Sequence, residues 1–179
     1  MKIACLGWGS LIWQPKNLKI QNEWFHDGPM LPIEFTRKSD KGKGRITLII
    51  DDAAKPVRCL WTLMTTDDLN EAKVSLKDRE ATNDKNIHSI TSTEKSDTQI
   101  KATIQRWLVS KDLDAAIWTG LSYFEKDKRP TIDEVIEHLL KLDYIVGKQA
   151  EEYIRKAPKQ IDTEYRRQIE KELAWTPLD

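Results

Sequence analysis

A short apolar run, Ile3 to Leu6, breaks into Gly7-Trp8-Gly9-Ser10-Leu11, and that break limits what can follow the first strand. The run reads as a β-strand, and the two glycines let the backbone turn where a Cβ would clash. Successive N–H groups in such a turn can converge on a carboxylate or carbonyl oxygen. A loop of this kind directly after a first strand is a candidate binding loop; the alternative is a tight turn with no ligand. Two better-known uses of glycine and serine here are excluded. A dinucleotide fingerprint needs a third glycine at position 12 and a helix opening there. Ile12 stands at that position, and Trp13-Gln14-Pro15 interrupts any helix. A serine nucleophile elbow needs glycines two residues either side of Ser10, where Trp8 and Ile12 stand instead. Ser10 therefore reads as a hydrogen-bonding group rather than a nucleophile.

At 179 residues the chain reads as one domain, 1–179, large enough to bury a core without metal or disulfide staples. Its 29 basic and 29 acidic side chains cancel, so nothing steers it toward nucleic acid or anionic lipid. Seven tryptophans scatter along the chain without the basic interleaving that base stacking needs, and most read as core. The apolar stretch after Met1-Lys2 is too short for a secretory segment, and no run approaches a membrane span. Cys5 and Cys59 both lie in strand-like segments and read as buried thiols rather than a disulfide. A cytoplasmic location is expected.

The first half reads as strands: Ile33 to Arg37, Arg45 to Asp51 and Val57 to Met64, with turns at 41–44 and 51–56. Such short spacing favours antiparallel pairing. Thr65-Thr66-Asp67-Asp68 reads as a helix start, with a capping hydroxyl and acids in the first turn. Leu69, Ala72 and Leu76, with the Lys73 stem, give the buried face of a helix running to about Glu80. Ala81 to His88 is polar and reads as loop. A second helix is expected over 96–109, with Ile100, Ile104, Trp107 and Leu108 on one face, then a strand over 115–119. The last third is helical: a capping box at Thr131 to Glu134 opens a helix striped by Ile132, Val135, Ile136, Leu139 and Leu140. Two further helices are expected, over 148–156 and 163–173. The fold class is α+β, strands first and helices gathered later.

Metal binding finds little support. His26, His88 and His138 stand far apart, and neither Cys-x-x-Cys nor His-Glu-x-x-His occurs. Glu134 and His138 share a helix face and read as a solvated pair. The basic stretch Arg37, Lys38, Lys41, Lys43 and Arg45 reads as a solvated hairpin tip; a second reading lets Arg37 or Lys38 meet a substrate carboxylate. Glu80 closes Leu76-Lys77-Asp78-Arg79-Glu80 at a helix C-terminus, where the macrodipole disfavours negative charge and raises a carboxyl pKa. That direction suits a general base, since an ordinary glutamate near ~4.3 is weak at neutral pH. Arg79 or Lys77 could cancel the effect, and the plain alternative is a surface acid.

Three segments resemble, in order and spacing, the γ-glutamylcyclotransferase superfamily, most closely its ChaC-type, glutathione-degrading branch. Leu6-Gly7-Trp8-Gly9-Ser10-Leu11-Ile12-Trp13-Gln14-Pro15 is similar to that branch's Phe-Gly-Tyr-Gly-Ser-Leu-hydrophobic-Trp-basic-Pro signature. Phe35-Thr36-Arg37-Lys38-Ser39 and Gly44-Arg45-Ile46-Thr47-Leu48 resemble its second and third strands. Asp78-Arg79-Glu80-Ala81 resembles the helix end that carries its catalytic glutamate. The likeness covers roughly the first ninety residues. It implies a small mixed β-barrel or sheet packed with helices, and a pocket between the first loop and the Glu80 region. Trp8 replaces the family's tyrosine, and Ala81-Thr82-Asn83-Asp84-Lys85-Asn86 replaces its Gly-Gly-Tyr, so the resemblance points away from glutathione itself more than from the chemistry.

The implied reaction turns a γ-glutamyl amide into 5-oxoproline and a released amine, without cofactor or metal. Glu80 would be the general acid/base, with Trp8, Gly9, Ser10, Leu11, Ile12 and Arg37 meeting the small-molecule γ-glutamyl substrate. The alternative is a non-catalytic γ-glutamyl or small-molecule binding module on the same fold.

Overall fold

In the computed structural model, which describes residues 1–39, 42–123 and 128–178, two β-sheets and five helices are built in a mixed α+β arrangement. In chain order these are β1 (Ile3–Gly7), β2 (Met30–Ser39), β3 (Arg45–Ile50), β4 (Pro56–Arg58), β5 (Leu60–Leu63), α1 (Leu69–Glu80), β6 (Ile87–Thr91), α2 (Gln99–Ser110), β7 (Ala115–Thr119), α3 (Ile132–Leu140), α4 (Tyr144–Lys156) and α5 (Glu164–Leu173). One sheet has the order β5-β1-β7-β6 and the other β3-β2-β4. Among the described residues both sheets are open, and the barrel closure that the resemblance implies does not occur. No helix is long and apolar enough to cross a membrane. The residues gather into two compact units. Unit 1 holds Met1–Gly7, Gln14–Leu31 and Arg58–Gly120; unit 2 holds Trp8–Trp13, Pro32–Val57 and the chain from Leu121 on.

Unit 1 is built on a central strand pair that is apolar on both faces. β1 runs antiparallel to β5 and parallel to β7, and every residue of β1 and β7 is buried. That is the signature of strands covered on both sides, and Ala4 opposite Ala116 keeps the pair slim. β6 closes the sheet antiparallel to β7, with α1 and α2 packed on both strands. The Trp61 ring stacks on Phe25 at 4.5 Å and meets Trp107 edge-on at 5.3 Å. Asp27 ties both indoles, accepting from Trp61 Nε1 through its carboxylate and from Trp107 Nε1 through its backbone carbonyl, while Lys111 pairs with the same carboxylate.

Unit 2 pairs β2 antiparallel with β3 and covers β3 with α3 and α4. The hairpin turn has Lys43 and Gly44 at positive φ, 50° and 96°, and Arg45 N donates to the Gly42 carbonyl. Lys41, part of that expected turn, lies outside the described residues. α3 begins with the capping box at Thr131 and Glu134, as the spacing requires. Arg166 is 1% exposed and donates to the carbonyls of Ile154, Ala157, Pro158 and Ile161, which satisfies the open end of α4.

Several elements depart from expectation. The strand over 57–64 is two strands, β4 and β5, in different sheets. Cys59 divides them because its N–H donates to Pro29 and its carbonyl accepts from Gly28. β2 starts before Pro32, whose carbonyl accepts from Asp51 N and keeps the strand paired without a donor of its own. The cap of α1 is the Asp68 carboxylate, bonded to Asn70 N and Glu71 N, instead of a threonine hydroxyl. The loop after α1 ends two residues early, where β6 begins at Ile87, and Leu140 leaves the α3 stripe and is 67% exposed.

Both cysteines are free and buried. Burial, and then the neighbouring Glu80 charge, push the Cys5 thiol up to about 12, and burial pushes Cys59 up as well. Thiolate is the reactive form, so neither should be carbamidomethylated in the native protein at pH 8, whereas both should react in denaturant. Native labelling of Cys5 read by mass spectrometry would show that the β1 core is open.

Candidate functional site

Glu80 is the last residue of α1, in unit 1. The helix is stopped by Ala81 in the left-handed region at φ 48°, with its N–H on Asp78 and the Thr82 N–H on Lys77. Glycine is the usual residue at such a position, so Ala81 holds strained backbone next to the candidate acid. The Glu80 side chain is 18% exposed, and the Arg79 side chain beside it is 6% exposed. Arg79 Nη1 donates to Glu80 Oε1 at 2.6 Å. The same guanidinium donates through Nε and Nη2 to the Gln14 carbonyl, at 3.2 and 2.7 Å. One buried cation therefore orients the Glu80 carboxylate and grips the tail of the segment that begins with the first loop. The charge of Arg79 also opposes the negative helix end. Lys77 points elsewhere, to Asp84 at 3.0 Å.

The segment after Glu80 is polar and largely exposed, with a single 3-10 turn at Asp84–Asn86 and Asn86 Nδ2 bonded to Thr82 Oγ1. This is where the resemblance would have glycines and a tyrosine.

The first loop lies in unit 2. Ile12 N donates to the Gly9 carbonyl at 3.0 Å, so the Ile12 N–H closes the turn. Trp8 and Leu11 are buried and anchor the loop, whereas Ser10 and Ile12 are half-buried. Gly9 is buried, and a Cβ placed on it would lie 2.4 Å from the Tyr153 hydroxyl. That hydroxyl, from α4, also accepts from Leu48 N at 3.4 Å. Its ring meets Trp13 edge-on at 5.4 Å and carries the Arg45 guanidinium at 4.8 Å from its centroid. Tyr153 is the functional candidate that sequence reading missed. Its only local signal is one polar-tipped aromatic in the buried stripe Val146, Ala150, Tyr153 and Ile154.

Arg37 is half-buried on β2, opposite Thr47 on β3, while Lys38 is exposed. The structure thus brings Gln14, Arg79 and Glu80 together in unit 1, and Gly9, Tyr153 and Arg45 in unit 2. Glu134 and His138 do not act as a pair. Glu134 is taken up by the α3 cap and Lys128, and His138 Nε2 lies 2.6 Å from the Gly44 carbonyl. No group of three His, Cys, Asp or Glu among the described residues is placed to hold a metal ion.

No protein-family model matches the chain, and no curated protein or solved structure matches it significantly.

The Gly9 contact yields a direct test. Gly9 has no positive φ, so space rather than backbone conformation excludes a side chain there. Gly9→Ala should destabilise by about 1–3 kcal/mol through overpacking. Adding Tyr153→Phe should recover much of this, because the ring carbon nearest the new Cβ is at an ordinary 3.4 Å. Strictly additive effects in urea melts would mean that Tyr153 does not set the requirement for glycine.

Proposed function

We propose that this chain is a γ-glutamylcyclotransferase-like enzyme, converting a γ-glutamyl amine or peptide to 5-oxoproline and a released amine. The observation that carries the reading is the Arg79 guanidinium, which fixes Glu80 and the Gln14 carbonyl together at the end of α1. Two of the three segments behind the resemblance contribute to that arrangement. A surface acid of no consequence would not need a 6%-exposed arginine to orient it.

In the proposed reaction the substrate's α-amine attacks its own γ-carbonyl carbon. The new N–C bond closes a five-membered ring, and the bond to the leaving nitrogen breaks. Nucleophile and electrophile share one molecule, so holding a near-attack geometry supplies much of the rate. The α-ammonium gives up two protons to become a lactam N–H, and the released amine takes up two to leave as an ammonium. Glu80 is the group proposed to carry protons from the first nitrogen to the second. Backbone N–H groups around Gly9, Ser10 and Leu11 would hold the γ-carbonyl oxygen as negative charge develops. Arg37 would meet a substrate carboxylate. Ile12 would contribute only its side chain, since its N–H is bonded within the loop.

Glu80→Gln should preserve fold and binding but lower the rate of 5-oxoproline formation by about two to four orders of magnitude, because an amide cannot carry the proton. Turnover equal to the parent would remove Glu80 from the mechanism. Ser10→Ala should be milder than Gly9→Val in the same assay.

The polar, exposed Asn83 to Lys85 stretch after Glu80, where the resemblance would have glycines, favours a small γ-glutamyl amine or dipeptide over glutathione. Comparing kcat/KM for γ-glutamyl amino acids and glutathione checks this. A tenfold preference for glutathione, about 1.4 kcal/mol, would contradict it.

A further inference from the structure

β3 carries two polar side chains that folding has desolvated without supplying partners. Arg45 Nε and Thr47 Oγ1 are both buried and make no hydrogen bond. Buried donors are nearly always satisfied, and each orphan calls for an explanation. Arg45 and Thr47 are two residues apart on one strand, so they share a face of the sheet. Arg37 and Ser39 lie directly opposite them on β2, which puts a second guanidinium on that face. Neither arginine has an acidic partner among the described residues. The Arg45 guanidinium is instead laid on the Tyr153 ring, whose hydroxyl reaches Gly9. Stacking of this kind fixes the plane of the fork while leaving its N–H edge able to donate.

We propose that Arg45 and Thr47, with Arg37, form a carboxylate-binding subsite on the β2–β3 hairpin beside the first loop. The ligand class follows from the groups present. A planar guanidinium edge with an adjacent hydroxyl matches a carboxylate, which accepts two parallel N–H bonds and a third from the hydroxyl. The inference rests on the proposed function for the identity of the molecule, in which the carboxylate belongs either to the γ-glutamyl end or to the amino acid beyond the amide. The tyrosine bridge places the subsite near the loop that would hold the γ-carbonyl.

The test separates the subsite from the reaction. Arginine Nε–H NMR signals are followed while glutarate is added to the wild-type protein. A saturable shift at Arg45, abolished in Thr47→Val or weakened at least tenfold, supports the subsite whether or not any substrate turns over. No saturable shift at Arg45 overturns it. Binding of γ-glutamyl methylamide and γ-glutamylglycine is then measured by calorimetry for wild type, Arg45→Gln and Arg45→Lys, with Arg106→Gln on α2 as a charge control. Weakening of both ligands by about tenfold or more in Arg45→Gln, with partial retention in Arg45→Lys, assigns the γ-glutamyl carboxylate. Weakening of γ-glutamylglycine alone assigns the distal one. Equal binding of both ligands by wild type and Arg45→Gln overturns the proposal. A glutarate shift at Arg45 without binding of either γ-glutamyl compound keeps the subsite and rejects the proposed function.

Discussion

The Arg79 guanidinium at the end of α1 is the contact on which the candidate chemistry depends. A buried arginine is tolerated only where its donors are used, and Arg79 uses Nε and Nη2 on the Gln14 carbonyl and Nη1 on Glu80. Removing it would leave a carboxylate at a negative helix end and an unsatisfied carbonyl close by. The helix terminus itself is stopped by a non-glycine residue in left-handed backbone. Strain, a buried cation and a partly shielded acid thus gather within three consecutive residues. Such features concentrate where geometry is being held for a purpose.

Unit 2 uses arginine in the same structural way at two other places. Arg166 replaces water at the end of α4, meeting four carbonyls at once. Arg129 pairs with the fully buried Asp51 at 2.7 Å and bonds the Tyr165 hydroxyl, while lying over the Tyr165 ring. Nearby, Glu34 accepts from Thr163, Phe35 N and Tyr165 N, although burial still raises its proton affinity above that of an ordinary glutamate. Each of these buried charges has its donors or acceptors matched. Arg45 does not, and that contrast within one unit is what distinguishes it from the structural arginines.

Local order in the chain was legible wherever one element satisfied its own requirements. β1 and β7 announce themselves as short, largely apolar runs, and the cap at Thr131 follows from a hydroxyl placed before a helical stripe. The first loop and the position of Glu80 were readable for the same reason. What could not be read depends on partners distant in the chain. The break at Cys59 needs Gly28 and Pro29, the demand for glycine at position 9 needs Tyr153, and the orientation of Glu80 needs the Gln14 carbonyl. β6 was missed because only Ile87 and Ile90 of its five residues are buried, which leaves a weak pattern on an edge strand.

The proposed cyclisation differs from hydrolysis by a water molecule, and that difference can be measured. The purified protein is incubated with γ-glutamyl amino acids in ¹⁸O-enriched water, and the products are resolved by mass spectrometry. Intramolecular attack predicts 5-oxoproline and free amino acid in equal amounts, with no ¹⁸O in the newly formed lactam. Glutamate carrying ¹⁸O would show that water is the nucleophile, and recovery of unchanged substrate would contradict the proposed reaction.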